Sequence, residues 1–143
     1  MNACKLNIYI VSALLVLLSA CTRNDGDIGE LYGLWRVVSI EDNGEELESY
    51  DGTLYFAFQS NVYCQRVVDE SLHVYTDNFA SWHYQSDDEI IVDFSDNRYA
   101  PFTITGMQKG QNLVRIEKCE GKDLEMSYVA ADGTYYIYKL KKW

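Results

Sequence analysis

The sequence predicts an all-β domain: an antiparallel up-and-down β-barrel of about eight strands over residues 31–143, with a β-sandwich of the same strands as the alternative. Three observations carry this reading. Apolar and polar residues alternate with period two through most of the chain after residue 33, as strands with one buried face require. The alternation breaks at short intervals at residues that tolerate positive φ or cap a turn locally: Asn43-Gly44, Asp51-Gly52, Asp87-Asp88, Lys109-Gly110, Gly121 and Asp132-Gly133. No segment sustains a 3.6-residue period, which sets aside a helical bundle or a parallel α/β sheet. Sequential hairpins leave two sheet edges to hide, and closing the sheet removes both.

Residues 1–20 have the layout of an export signal, with a short polar start whose one charged side chain is Lys5 and an apolar run from Ile8 to Leu18. As a helix that run would reach about 16 Å, roughly half of a 30 Å hydrocarbon core, so it is too short to span. Leu18, Ser19, Ala20 and Cys21 resemble the lipobox of bacterial lipoproteins, in which the thiol accepts a diacylglycerol and the signal is cut just before it. The resemblance implies lipid attachment at Cys21 and a membrane partner engaged through that N-terminal anchor. Two or three acyl chains hold a protein durably where one holds it marginally. Thr22 follows where inner-membrane lipoproteins of the best-known type carry Asp, which implies the outer membrane. "TRNDGD" is similar to the acidic leaders of surface-exposed lipoproteins in some gut-dwelling Gram-negative bacteria, and reads equally as a flexible tether over residues 21–30. Both the periplasmic and the cell-surface face stay open.

The mature chain, residues 21–143, is one domain's worth of sequence. Without Lys5 it carries 11 basic against 22 acidic side chains, a formal balance of −11. Nucleic acid is excluded as a partner by that charge, which describes a soluble, self-repelling surface. Of the twelve tyrosines all but Tyr9 lie in the mature chain, and with three tryptophans they exclude disorder.

In chain order the expected strands are 34–40, 53–59, 62–68, 80–85, 89–94, 102–107, 113–119, 124–130 and 134–140, one more than an eight-stranded barrel needs. Two longer connections, "EDNGEELESYDG" and "DESLHVYTDN", have room for a helical turn or a flap. Pro101 stands where the entrance to strand 102–107 needs no ladder donor. The alternation turns Trp35, Val37, Leu54, Phe56, Phe58, Ile90, Val92, Phe94, Leu124, Met126 and Tyr128 inward.

The opening strand, "GLWRVVSIEDNG", resembles that of lipocalin-like proteins, with Gly33 and Trp35 forming the Gly-x-Trp motif shortly after the mature start. Together with the lipobox, this makes the whole chain similar to the lipocalin-like lipoproteins of Gram-negative gut bacteria. The resemblance implies that Gly33 lets the chain bend across the barrel floor and that the indole of Trp35 plugs that end. It also implies a basic residue from the last strand over the tryptophan, for which Lys139 and Lys141 are the candidates.

Catalytic chemistry finds no support. The serines lack a glycine-flanked elbow, His83 has no specific acid to orient it, and Asp87, Asp88 and Glu89 sit at a turn. No phosphate or calcium loop is present, no cofactor is implied, and His73, His83, Cys64 and Cys119 lack the spacing of a metal site. Cys64 and Cys119 are the cysteines left after the signal and the acylated thiol. They fit either one disulfide or two small buried hydrophobes.

Binding is the better-supported class, since a barrel mouth offers apolar walls with a few polar handles. Trp82, Tyr84, Tyr136 and Tyr138 are the candidate ligand-binding residues, as aromatic surfaces with polar tips suit a small apolar or sugar-like molecule. Cross-strand packing explains the same four rings. The expectation is an open mouth lined by Trp82, Tyr84 and Tyr138 opposite a floor sealed by Trp35. The alternative is a surface accessory or inhibitory module that binds a protein or glycan. A hollow barrel favours the first and a filled one the second.

Overall fold

The computed structural model describes residues 29–143. The expected signal over 1–20, the expected lipid attachment at Cys21 and the expected tether as far as residue 28 lie outside the described residues. Nine strands follow: β1 (Gly33–Asp42), β2 (Glu45–Glu46), β3 (Leu54–Gln59), β4 (Val62–Asp69), β5 (Val74–Tyr84), β6 (Glu89–Phe94), β7 (Gly110–Glu120), β8 (Asp123–Val129) and β9 (Tyr135–Lys142), with one 3-10 turn at Thr103–Thr105. Every pairing is antiparallel between sequence neighbours, except that β1 passes over the two-residue β2 to pair with β3, and that β1 also pairs with β9 from Trp35↔Lys142 to Asp42↔Tyr136. That last ladder closes an eight-stranded up-and-down barrel, with β2 a short hairpin extension of β1.

All eleven residues expected to point inward are buried, with Trp35, Val37, Phe56, Phe58, Ile90 and Phe94 fully so. Bulges between Val37 and Ser39 and between Ile116 and Lys118 shift the inward face by one residue, which brings Ile40 inside and turns Cys119 toward buried Leu124. Tyr63, Tyr138, Val114, Leu140 and Leu31 complete the core.

The floor is built as the Gly-x-Trp opening implies. Gly33 has φ +121, and a Cβ there would stand 3.3 Å from the Lys142 Cε. Trp35 donates its indole N–H to the Leu31 carbonyl at 2.8 Å. The cation over its ring is Lys142, 5.0 Å from the centroid. Lys139 and Lys141 are engaged instead with Glu41 and Asp123.

Two elements differ from expectation. β5 begins at Val74 rather than at residue 80, and a short turn replaces the longer connection. Its first half carries no apolar alternation because other forces hold it to β4. Arg66 grips Asp77 through two 2.7 Å bonds that hold the Asp77 carboxyl below its usual range, and the guanidinium lies 4.3 Å from the Tyr75 ring centroid. Residues 102–107 are not a strand. With eight strands already closing the ring there is no edge for a ninth. Pro101 brings no donor, and Gly106 takes φ +69, so the segment folds instead into the 3-10 turn. Its Phe102, Ile104 and Met107 side chains still go to the core, which explains why the sequence reads as half-buried.

The β-sandwich is excluded by the β1–β9 ladder. Cys64 and Cys119 are free thiols. Cys64 lies between inward-facing Tyr63 and Gln65 and so belongs to the outer face of β4, whereas the bulge turns Cys119 inward on β7. Opposite faces of the wall keep the thiols apart. Burial pushes Cys64 up to about 12, so it is an inert thiol.

Candidate functional site at the barrel mouth

The connection from β6 to β7 dips back into the barrel at the end opposite Trp35. Four groups hold it there. Gln65, fully buried on β4, accepts the Phe102 backbone N–H at 2.8 Å and turns its amide nitrogen to the Tyr63 hydroxyl and the Met107 sulfur, each at 3.3 Å. Tyr138, fully buried on β9, donates its hydroxyl to the Thr105 carbonyl. Thr105 folds the segment on itself by donating to the Phe102 carbonyl at 2.7 Å. Asn112 on β7 fixes the return, accepting the Gln108 N–H and donating to the Gln108 carbonyl, both at 2.8 Å.

Gly106 is the point of closest approach. A Cβ at this position would fall 2.1 Å from the Tyr136 Cε2, and its φ of +69 is one that other residues adopt at a cost. The Tyr136 ring lies nearly parallel to that of Tyr138, 9° apart with centroids 6.3 Å apart. Beneath the segment aromatic contacts cross the barrel: Tyr138 to Phe56 at 5.5 Å, Phe56 to Tyr63 at 5.4 Å, Tyr63 to Phe58 at 5.2 Å and Phe58 to Trp82 at 5.2 Å. An eight-stranded barrel has an interior just wide enough to be filled by side chains or to hold one small ligand, and here side chains occupy it.

The buried polar groups of this site are neutral. Burial raises the Tyr63 and Tyr138 hydroxyls well above their ordinary range, so both remain protonated donors at physiological pH. Among the described residues no group of three His, Cys, Asp or Glu side chains converges as a metal site would require. The site offers aromatic faces, the carboxamides of Gln65 and Asn112 and the hydroxyls of Tyr63, Tyr138 and Thr105: hydrogen bonds and stacking.

The four aromatic candidates form two pairs rather than one site. Trp82 and Tyr84 lie at the floor end with Trp35, edge-to-face at 5.3 Å, while Tyr136 and Tyr138 lie at the mouth. Tyr138 lines no open mouth, being sealed under residues 102–107. The Trp82 indole nitrogen is buried with no hydrogen-bond partner among the described residues. His73 and His83 are exposed and outside both ends' polar networks. Sequence reasoning missed Gln65, Thr105 and Asn112. For Gln65 the signal was available: the alternation of "VYCQRVV" puts it on the face of Tyr63, and a glutamine at a core position needs partners.

Several solved structures match the chain over most of its length. A lipocalin-like protein from Bacteroides uniformis aligns with TM-score 0.60 at 18% identity, covering 80% of this chain and 100% of that one. An uncharacterized protein from Bacteroides eggerthii aligns with TM-score 0.59 at 15% identity, covering 79% and 99%. The fold is therefore lipocalin-like. A bovine odorant-binding protein complexed with its natural ligand aligns at TM-score 0.48 and 19% identity, over 85% of this chain and 76% of that one. No protein-family profile and no curated protein sequence matches the chain.

Proposed function

We propose that this chain is an outer-membrane lipoprotein, anchored through diacylated Cys21, whose lipocalin-like barrel binds a small apolar or sugar-like ligand without catalysis. The binding reading rests on one observation: the buried handles at the mouth, Gln65 and Tyr138, bond to the backbone N–H of Phe102 and the backbone C=O of Thr105, groups that a ligand's own polar atoms can replace. Residues 102–107 then occupy the ligand's place in the unliganded protein, and Tyr136 and Tyr138 stack on the ligand once the segment lifts. Exchange keeps the buried polar groups paired, so the ligand replaces hydrogen bonds at little net cost.

The expected result of titrating the delipidated domain against fatty acids, bile acids and oligosaccharides is saturable one-to-one binding to one class, read from tryptophan emission and a raised Tm. A second reading, an accessory module that binds a protein or glycan partner, is favoured by the filled interior. An unresponsive domain across the whole panel would leave that reading standing and end the first.

The anchor has its own test. Cys21→Ser is expected to move the protein from the membrane fraction to the soluble fraction. Recovery of the variant in membranes at wild-type levels, with no lipid mass, would contradict the anchor.

A further inference from the structure

The two ends of the barrel differ in surface chemistry. The mouth end exposes Glu45, Glu46, Glu48, Asp51, Asp69 and Glu70. The floor differs at one corner, where β1 begins and β9 ends. Trp143 is 76% exposed there and Tyr32 46%. Trp143 is held in register, its N–H donated to the Leu34 carbonyl at 2.9 Å and its indole packed edge-to-face on Tyr55 at 5.6 Å. The Lys142 N–H bonds the Lys122 carbonyl at 2.9 Å, which brings exposed Lys122 to the same corner. The acids here are largely matched, Asp123 by Lys141 and Glu120 by Lys118, which leaves Glu30 against Lys122 and Lys142. The acidic β5–β6 turn lies across the ring of strands, four ladders away.

Tryptophan is among the most buried residues on average, so an indole fixed in register yet left in solvent, beside a tyrosine and lysines, has the composition of a membrane–water interface. The chain also enters the barrel at this corner, through the Gly29–Tyr32 turn. Between Cys21 and Gly29 the chain spans at most about 28 Å when fully extended. So short a link gives the corner a high effective concentration at the leaflet, and a weak contact suffices to hold it.

We infer that Tyr32, Lys122 and Trp143 rest among the phosphate-bearing headgroups of the leaflet that holds the anchor, with the acidic mouth turned away from the anionic surface into solvent. The inference rests on the reading of Cys21 as the lipid anchor. It gives the barrel a fixed orientation and keeps the mouth accessible.

The test uses the lipidated full chain in vesicles of phosphatidylethanolamine and phosphatidylglycerol, with and without a phospholipid brominated high on its acyl chains. Trp35 is fully buried and Trp82 faces the interior, so bromine should quench chiefly Trp143. The expected result is quenching of the wild type that is lost in Trp143→Phe. Lipid-bearing protein that pellets with the vesicles without quenching, or with quenching unchanged in Trp143→Phe, overturns the inference and leaves the anchor intact. Protein without lipid mass that stays in the supernatant overturns both.

Discussion

Trp35→Ala is expected to cost about 3–5 kcal/mol, the range for large aromatic truncations in packed cores. The indole is fully buried and its N–H is committed to the Leu31 carbonyl at 2.8 Å, so truncation opens a cavity and also strands a buried acceptor. It removes the surface beneath Lys142 as well, a cation–π contact of about 0.5–2 kcal/mol by itself. The cavity falls at the floor, where the β1–β9 ladder that closes the barrel begins, so the loss should appear in global unfolding rather than as local fraying. Chemical denaturation checks it through the midpoint at constant m-value. An unchanged midpoint would mean that the ring does not carry the floor.

Gly106→Val should release the mouth segment. The Cβ would overlap the Tyr136 ring at 2.1 Å, and a β-branched residue at φ +69 adds strain of about 1–3 kcal/mol. If the segment lifts, Gln65 and Tyr138 lose the Phe102 and Thr105 backbone partners, at about 1–3 kcal/mol for each buried group left unpaired. The expected outcome is a Tm several degrees below wild type, with faster hydrogen exchange at the Phe102 amide and a barrel that still folds. Unaltered protection at Phe102 would show that the Tyr136 ring moves aside instead.

The ring of eight strands is legible because period-two burial and local turn residues are both written in the sequence. The aromatic candidates are misplaced because period two gives the face of a strand but not its height in the barrel. Trp82 and Tyr138 both point inward, yet the registers Trp82↔Val92 and Ile40↔Tyr138 set them toward opposite ends. The choice of Lys139 and Lys141 over Lys142 is an error of face instead, since alternation sets Lys142 with buried Tyr138 and Leu140 on the inner side, where it pairs with Trp35. Residues 102–107 combine an apolar pattern with Pro101 and Gly106, and the pattern outweighs the two breakers unless the strand count is closed first. The first half of β5 is invisible to a hydrophobic reading because a salt bridge and a cation–π contact hold it.

The central claim is that residues 102–107 and a small ligand compete for one mouth. Its most direct test is titration of wild type and Gly106→Val with 1-aminoanthracene, a neutral aromatic fluorophore with one polar group. The account predicts one-to-one uptake that is tighter in Gly106→Val, because the variant no longer has to displace the segment. A folded variant that frees Phe102 for exchange and still takes up no probe would contradict it, leaving a barrel that is filled whether or not its mouth is open.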